Sequence, residues 1–147
     1  MVIDINILIA DILKGGRYEQ FIIEANQSQL ADYGQDVKGR DIKTFKARGG
    51  QVYADYTIKK KQKIGQPTDH VTAFSSGKLY DSFITKAQKT FAEVTANKKS
   101  LAQFFENVDK SFDILGLNEE NTDKLAAMLQ VDLQKDIDLF IEKTLQI

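Results

Sequence analysis

The spacing of the apolar residues changes along this sequence, and this change restricts the fold more than any other feature. Towards both ends, apolar residues recur every three or four positions, which is typical of helices with one face against a core. In the middle, Ala92, Val94 and Ala96 alternate with Glu93 and Thr95, which is typical of a half-buried strand. The sequence therefore predicts an α+β fold with two N-terminal helices, a small antiparallel sheet in the middle and a long C-terminal helix.

Capping residues and glycines set the expected ends of the two N-terminal helices. Asp4 is placed to cap a first helix, which Gly15-Gly16 ends. A second helix is expected from Arg17 to Asp32, and Gly34 follows it. Both helices carry the periodic apolar stripe of helices that pack against a core.

Two short helices are expected between these and the sheet. One covers residues 53–63 and ends before a glycine. The other is a single turn at Lys78–Ser82, which we expect Ser75 or Ser76 to cap, because serine side chains accept hydrogen bonds from the free N–H groups of a first helical turn.

Two helices are predicted after the sheet. Ser100 and Gln103 have the spacing of a capping box ahead of the first. Asn118 is placed to cap the second, the long C-terminal helix, whose apolar stripe we expect to be buried in the core. The central residues of that stripe are Leu129, Leu133, Ile137 and Phe140.

The length of 147 residues predicts a single domain spanning residues 1–147. Residues 34–54 are rich in glycine and charge, and we expect them to form a loop or an arm. The absence of cysteine excludes disulfides and thiolate metal sites. The first residues include Asp4 and Asp11 without a basic region, which is not the pattern of a signal peptide. No apolar run approaches the roughly 20 residues of a membrane-spanning helix, so no membrane association is expected.

Charge is distributed unevenly, although the whole chain carries a net charge of only −1. Residues 1–35 carry 2 basic and 5 acidic groups, residues 36–99 carry 14 and 6, and residues 100–147 carry 4 and 10. The middle is therefore basic and both ends are acidic. Two interpretations stay open. The ends pack over the middle within one chain, or the basic segment of one subunit faces acidic helices of the next and steers association.

One group of residues has the types needed for a Ser-His-Asp triad. Asp69 and His70 precede Ser75 and Ser76. A triad, however, is defined by geometry and is usually assembled from distant segments, whereas this aspartate and histidine are neighbours in a turn. The acidic run at 118–123 lacks the spacing of a calcium loop, and no phosphate-binding glycine motif is present. We therefore expect no enzymatic activity, no metal and no cofactor.

Lys59, Lys60, Lys61 and Lys63 form the densest charge cluster and are the candidate interaction residues. Such a cluster binds nucleic-acid phosphates, binds an acidic protein neighbour, or forms a solvated helix face. We favour a protein-facing or solvated role. A nucleic-acid-binding accessory protein that uses this cluster is the alternative function.

Residues 51–84 contain a pattern of known type. It runs from Tyr53 and Tyr56-Thr57 through Gly65-Gln66-Pro67-Thr68-Asp69 and Val71-Thr72 to Ser76-Gly77-Lys78-Leu79-Tyr80-Asp81-Ser82-Phe83. This pattern resembles virion-morphogenesis and tail-completion proteins of tailed phages, of the type found in phages of Bacteroidetes. In those proteins a tract close to Thr-Gly-x-Leu-x-x-Ser follows an extended Val-Thr stretch. The matching positions here are Ser76, Gly77, Leu79 and Ser82, with serine in place of the usual threonine.

The resemblance implies a structural role rather than an enzymatic one. It implies a virion protein at the head–tail junction (the neck or connector region) or at the tail end, assembled as a ring. Its partners would be further copies of the chain and neighbouring virion proteins. Such a protein is made in the cytoplasm of the bacterial host and ends in the virion.

Overall fold

The computed structural model describes residue 9 and residues 11–13, 16–87 and 92–146. The fold is α+β, as the apolar spacing predicts. The elements in chain order are α1 (Gly16–Tyr33), α2 (Asp55–Lys63), α3 (Lys78–Asp81), β1 (Ile84–Ala87), β2 (Ala92–Thr95), α4 (Lys98–Phe105) and α5 (Glu119–Leu145). The first predicted N-terminal helix falls mainly outside the described residues. Of it, Ile9 and residues 11–13 are helical, and Leu13 is buried.

Helix α1 forms the centre of the domain. Its bounds agree with the predicted second helix to within one residue at each end. It ends at Gly34, where φ is +61° and an added Cβ would lie 2.7 Å from the Cβ of His70. Only glycine fits this close approach without strain. The buried residues of α1 are Tyr18, Ile22, Asn26, Gln29 and Leu30.

The segment at 34–54 is a packed loop. It contains no helix or strand. An isolated bridge between Gln35 and Asp41 lies within the loop, and another between Thr44 and Val108 joins it to the segment after α4. Ile42 is fully buried, and Val52 and Tyr53 at its end are also part of the core. These apolar side chains explain why a glycine-rich, charged segment lies against the domain.

Strands β1 and β2 form the predicted antiparallel hairpin. Thr85 pairs with Val94 and Lys86 pairs with Glu93. Val94 is buried and Glu93 is exposed, which confirms the alternation read from the sequence. The hairpin packs against α1 through β1.

Two of the predicted helix caps are wrong, and one is confirmed. Neither serine caps α3, because Gly77 occupies the N-cap position in the left-handed conformation. Asn97 rather than Ser100 caps α4, and its side chain accepts a hydrogen bond from the backbone N–H of Ser100 at 3.1 Å. Asn118 caps α5 as predicted and accepts a hydrogen bond from the N–H of Asn121 at 2.9 Å.

The prediction of a buried stripe on α5 is wrong. No residue of this helix is buried: Leu129, Leu133 and Ile137 are only partly covered, and Phe140 is 41% exposed. Leu125 near its start is the residue that packs against the core cluster. Periodicity predicts which face of a helix turns towards the protein. It does not predict how much protein covers that face.

Truncating a core leucine of α1 should therefore cost far more than truncating a leucine of α5. We expect Leu30→Ala to lower the free energy of unfolding by about 2–5 kcal/mol, because it leaves a cavity at a fully buried site. The matched control Leu139→Ala, at a position 52% exposed, should change it by less than about 0.5 kcal/mol. Urea denaturation followed by circular dichroism measures both. Equal losses would contradict this assignment of the core.

Candidate functional site

A buried carboxylate positions the loops beside the site. The side chain of Asp36 is completely buried, and its oxygens accept hydrogen bonds from the N–H groups of Lys38 (3.1 Å) and Arg40 (2.9 Å). The guanidinium of Arg40 adds two more, at 3.0 and 2.6 Å, and the N–H of Asp113 contributes another at 3.4 Å. Burial acts to raise the pKa of Asp36, but the hydrogen bonds from Arg40 and Asp113 outweigh it and hold that pKa below its usual value.

Arg40 links this carboxylate to the segment that follows α4. Its guanidinium donates to the carbonyl of Ser111 at 2.6 Å and lies 5.1 Å from the ring centroid of Phe112. The loop at 34–54 and the segment after α4 then meet at the bridge between Thr44 and Val108. The polar cluster thereby fixes the position of Thr44 and Val108, which both line the candidate site.

Two buried amides of α1 hold the start of α5. Asn26 donates to the carbonyl of Ile114 and accepts from the N–H of Gly116, each at 2.8 Å. Gln29 donates to the carbonyl of Gly116 at 3.0 Å and accepts from the N–H of Asn118 at 2.8 Å. Sequence reasoning missed both amides. The signal was their position on the apolar face of α1, one and two turns after Ile22.

The candidate site is a cleft between α2, α4 and the segment at 71–79, with a volume of about 450 Å³. Three lysines line it: Lys60, Lys61 and Lys78. No Asp, Glu or His is among the described residues that line it. Its apolar lining residues are Tyr53, Ile64, Val71, Ala73, Phe74, Leu79, Phe104 and Val108. The cleft therefore combines an apolar lining with positive charge.

The predicted lysine cluster divides between two faces of α2. Lys60 and Lys61 lie on the cleft side, whereas Lys59 and Lys63 are exposed and do not line the cleft. The ammonium of Lys61 lies 4.8 Å from the ring centroid of Tyr53 and donates a hydrogen bond to Gln66 at 3.1 Å. Partial burial lowers the pKa of Lys61.

Three of the four motif residues line this cleft together with two of the clustered lysines. Ser76, Gly77 and Leu79 line it together with Lys60 and Lys61, although α2 and α3 are separated in sequence. Ser82 does not line it. Its hydroxyl donates to the carbonyl of Leu79 at 2.7 Å and accepts from the N–H of Asn97 at 3.0 Å, so it joins α3 to the start of α4.

A chain of hydrogen bonds fixes the wall of the cleft at 71–79. The N–H of Thr72 donates to the hydroxyl of Tyr53 at 3.0 Å, and the hydroxyl of Tyr80 donates to the carbonyl of Thr72. Gln27 of α1 donates to the carbonyl of Tyr80 at 3.0 Å. Burial raises the pKa of Tyr80 above its usual range and so favours the protonated hydroxyl that donates to Thr72. Ala73 beside it has a φ of +55°, a left-handed conformation that few non-glycine residues adopt.

His70 and the two serines do not form a catalytic arrangement. The Nδ1 of His70 lies 2.8 Å from a carboxylate oxygen of Asp69, and its Nε2 lies 2.6 Å from the carbonyl of Ala31. Nε2 thus faces a carbonyl near the end of α1 and Nδ1 faces the neighbouring Asp69, whereas Ser75 and Ser76 line the cleft. Within residues 9, 11–13, 16–87 and 92–146, no group of three acidic or histidine side chains could hold a metal ion. No helix in that part of the chain is long and apolar enough to span a membrane.

Comparisons with protein-family models, with curated proteins and with solved structures found no match.

Removing the charge of Asp36 should destabilise the domain in a pH-dependent way. Asp36→Asn loses charge-assisted hydrogen bonds, so we expect a loss of about 2–3 kcal/mol in unfolding free energy at pH 7. Because the folded-state pKa of Asp36 is lowered, its contribution is complete above the unfolded pKa of about 3.9 and is lost as pH falls through the folded value.

The difference between the original protein and Asp36→Asn should therefore shrink below about pH 4. The exposed Asp41→Asn variant, in the same loop, is the control and should behave like the original protein at every pH. Denaturant melts at a series of pH values measure this. A difference that stays constant down to pH 2 would contradict the role of the ionised carboxylate.

Proposed function

We propose that this chain is a structural subunit of a tailed-phage virion, placed at the head–tail junction or the tail end, which assembles into a ring through protein contacts. The observation that carries the proposal is the cleft, which brings Lys60 and Lys61 together with Ser76, Gly77 and Leu79. No carboxylate is among the described residues that line it. Such a surface fits an acidic, partly apolar segment of a neighbouring protein.

The distribution of ion pairs supports an intermolecular role for the basic middle of the chain. Across the described residues, the cleft lysines make no ion pair with Asp or Glu. The described acidic residues of the C-terminal segment, 100–146, therefore do not neutralise the cleft within one molecule by direct contact. A neighbour that supplies carboxylates would complete it.

The exposed apolar residues of the cleft also support protein binding. Ile64 is 62% exposed and Phe74 is 40% exposed, and both line the cleft beside the lysines. Protein interfaces commonly have an apolar centre with a polar rim. An enzymatic role has less support, because the described residues that line the cleft include no Asp, Glu or His to pair with Ser75 or Ser76.

Nucleic-acid binding is the second candidate function, and one observation favours it. Tyr56 is 79% exposed and shares the outer face of α2 with Lys59 and Lys63, at the i+3 and i+7 positions. An exposed aromatic ring beside lysines could stack on a base while the lysines contact phosphates. None of these three residues lines the cleft, so the two functions can be tested separately.

Substituting the two faces of α2 separately should distinguish these functions. We expect Lys60→Gln with Lys61→Gln to weaken self-association, measured by sedimentation velocity, with little change in melting temperature. The control pair, Lys59→Gln with Lys63→Gln, removes the same charge from the same helix and should leave assembly unchanged. Raising the salt concentration should weaken assembly of the original protein.

Two outcomes would count against assembly through the cleft. If both pairs assemble like the original protein, the lysines form a solvated face only. If the outer pair loses affinity for DNA with a steep salt dependence while assembly is unchanged in both, nucleic-acid binding is the better account.

The virion role itself predicts where the protein is found. Mass spectrometry of purified phage particles should detect this chain at a fixed ratio to the other neck or tail proteins, and its gene should lie among capsid, portal or tail genes. Its absence from particles of a phage that expresses it during infection would contradict a structural role.

A further inference from the structure

We propose that the cleft binds the C-terminal part of α5, residues 138–145, from a second copy of this chain. This inference rests on the proposed self-assembly and names the segment that performs it. It makes the contact head-to-tail, because one copy supplies the helix and the next supplies the cleft.

The end of α5 carries the chemistry that the cleft lacks. Asp138 and Glu142 are exposed and lie one turn apart on the same face of the helix. Leu139 is 52% exposed and Leu145 is 79% exposed. The helix end therefore presents carboxylates together with apolar side chains, and Lys143 is the one basic residue between 138 and 145.

The two surfaces are complementary in charge and in apolar character. Lys60, Lys61 and Lys78 of the cleft are positively charged, and Asp138 and Glu142 of the helix are negatively charged. The apolar residues of the cleft that are most exposed, Ile64 and Phe74, match the exposed leucines of the helix end. An amphipathic helix bound in an apolar groove with charged edges is a common mode of protein recognition.

The anchoring of α5 explains why the helix end belongs to another copy. The start of α5 is held by Gln29, and its middle is held at Asp132, which accepts a hydrogen bond from Tyr18 and lies 3.1 Å from the guanidinium of Arg17. A continuous helix held at two points has a fixed direction. No hydrogen bond or ion pair among the described residues joins its end to the cleft lysines, so a cleft in a neighbouring copy is the natural recipient.

A charge-reversal experiment tests this contact directly. The first variant is Asp138→Lys with Glu142→Lys, which gives a basic helix end beside a basic cleft. The second is Lys60→Glu with Lys61→Glu, which gives an acidic cleft beside an acidic helix end. We expect each variant alone to lose at least tenfold in self-association affinity by sedimentation velocity at low salt. An equimolar mixture should recover most of that loss, because each helix then meets a cleft of opposite charge.

Controls separate the contact from general effects of charge and folding. Glu24→Lys with Asp123→Lys makes the same net-charge change at exposed positions elsewhere and should assemble normally. Circular dichroism melts should show that each variant is folded. Because Lys61 is partly buried, Lys60→Glu with Lys78→Glu serves as the cleft variant if the first choice unfolds.

The outcomes distinguish this inference from the proposed function. If the cleft variant loses assembly but the helix variant does not, the cleft binds another segment; the inference fails and the proposed function stands. If the mixture does not recover assembly, the two sets of charges are not in contact and the inference is overturned. If the original protein is monomeric at all concentrations, or if the cleft variant loses only DNA affinity, both fail.

Discussion

The buried carboxylate of Asp36 is the interaction on which much of the loop structure depends. An ionised group at such a position is stable only when hydrogen bonds replace water around it, and here the backbone and the Arg40 guanidinium provide them. Each of these donors comes from a segment without regular secondary structure. The carboxylate thereby fixes two loops that would otherwise have few reasons to adopt one conformation. The bridge between Thr44 and Val108, at the cleft, follows from that arrangement.

Buried polar groups that need hydrogen-bond partners also orient the longest helix, α5. Helix α5 buries none of its own residues, so apolar packing alone gives it a weak attachment to the domain. Asn26 and Gln29 supply directional contacts instead, because an amide fully removed from water must find partners with defined geometry. A buried polar network therefore determines the direction of a helix whose surface is largely free for other contacts.

Local signals in the sequence were sufficient to predict the helices and strands, but not to predict how deeply they are buried or which residues form the site. Three signals act over only a few residues each, and the structure contains the feature that each predicts. They are the left-handed Gly34 at the end of α1, the alternation around Val94 in β2 and the Asn118 cap of α5. At α4 the side chain of Asn97 accepts the hydrogen bond in place of the predicted Ser100, whereas α3 begins after Gly77 without a side-chain cap. Other features depend on segments that are distant in the sequence, and no local pattern specifies them. They are the roles of Asn26 and Asp36, the exposure of α5, and the presence of Lys60 and Ser76 in one cleft.

The rigid attachment of α5 has a consequence for the geometry of any assembly built through its end. Residue 139 lies about 30 Å along the helix from its first turn, so a small tilt at the root becomes a large displacement at the tip. The angle between successive copies would then depend on Asn26 and Gln29 inside each subunit and on the contact of Tyr18 with Asp132, as well as on the residues at the interface. The number of subunits in a closed ring would accordingly depend on residues inside the domain. Conservative changes at Asn26 and Gln29 would alter the diameter of the ring without changing the residues at its interface.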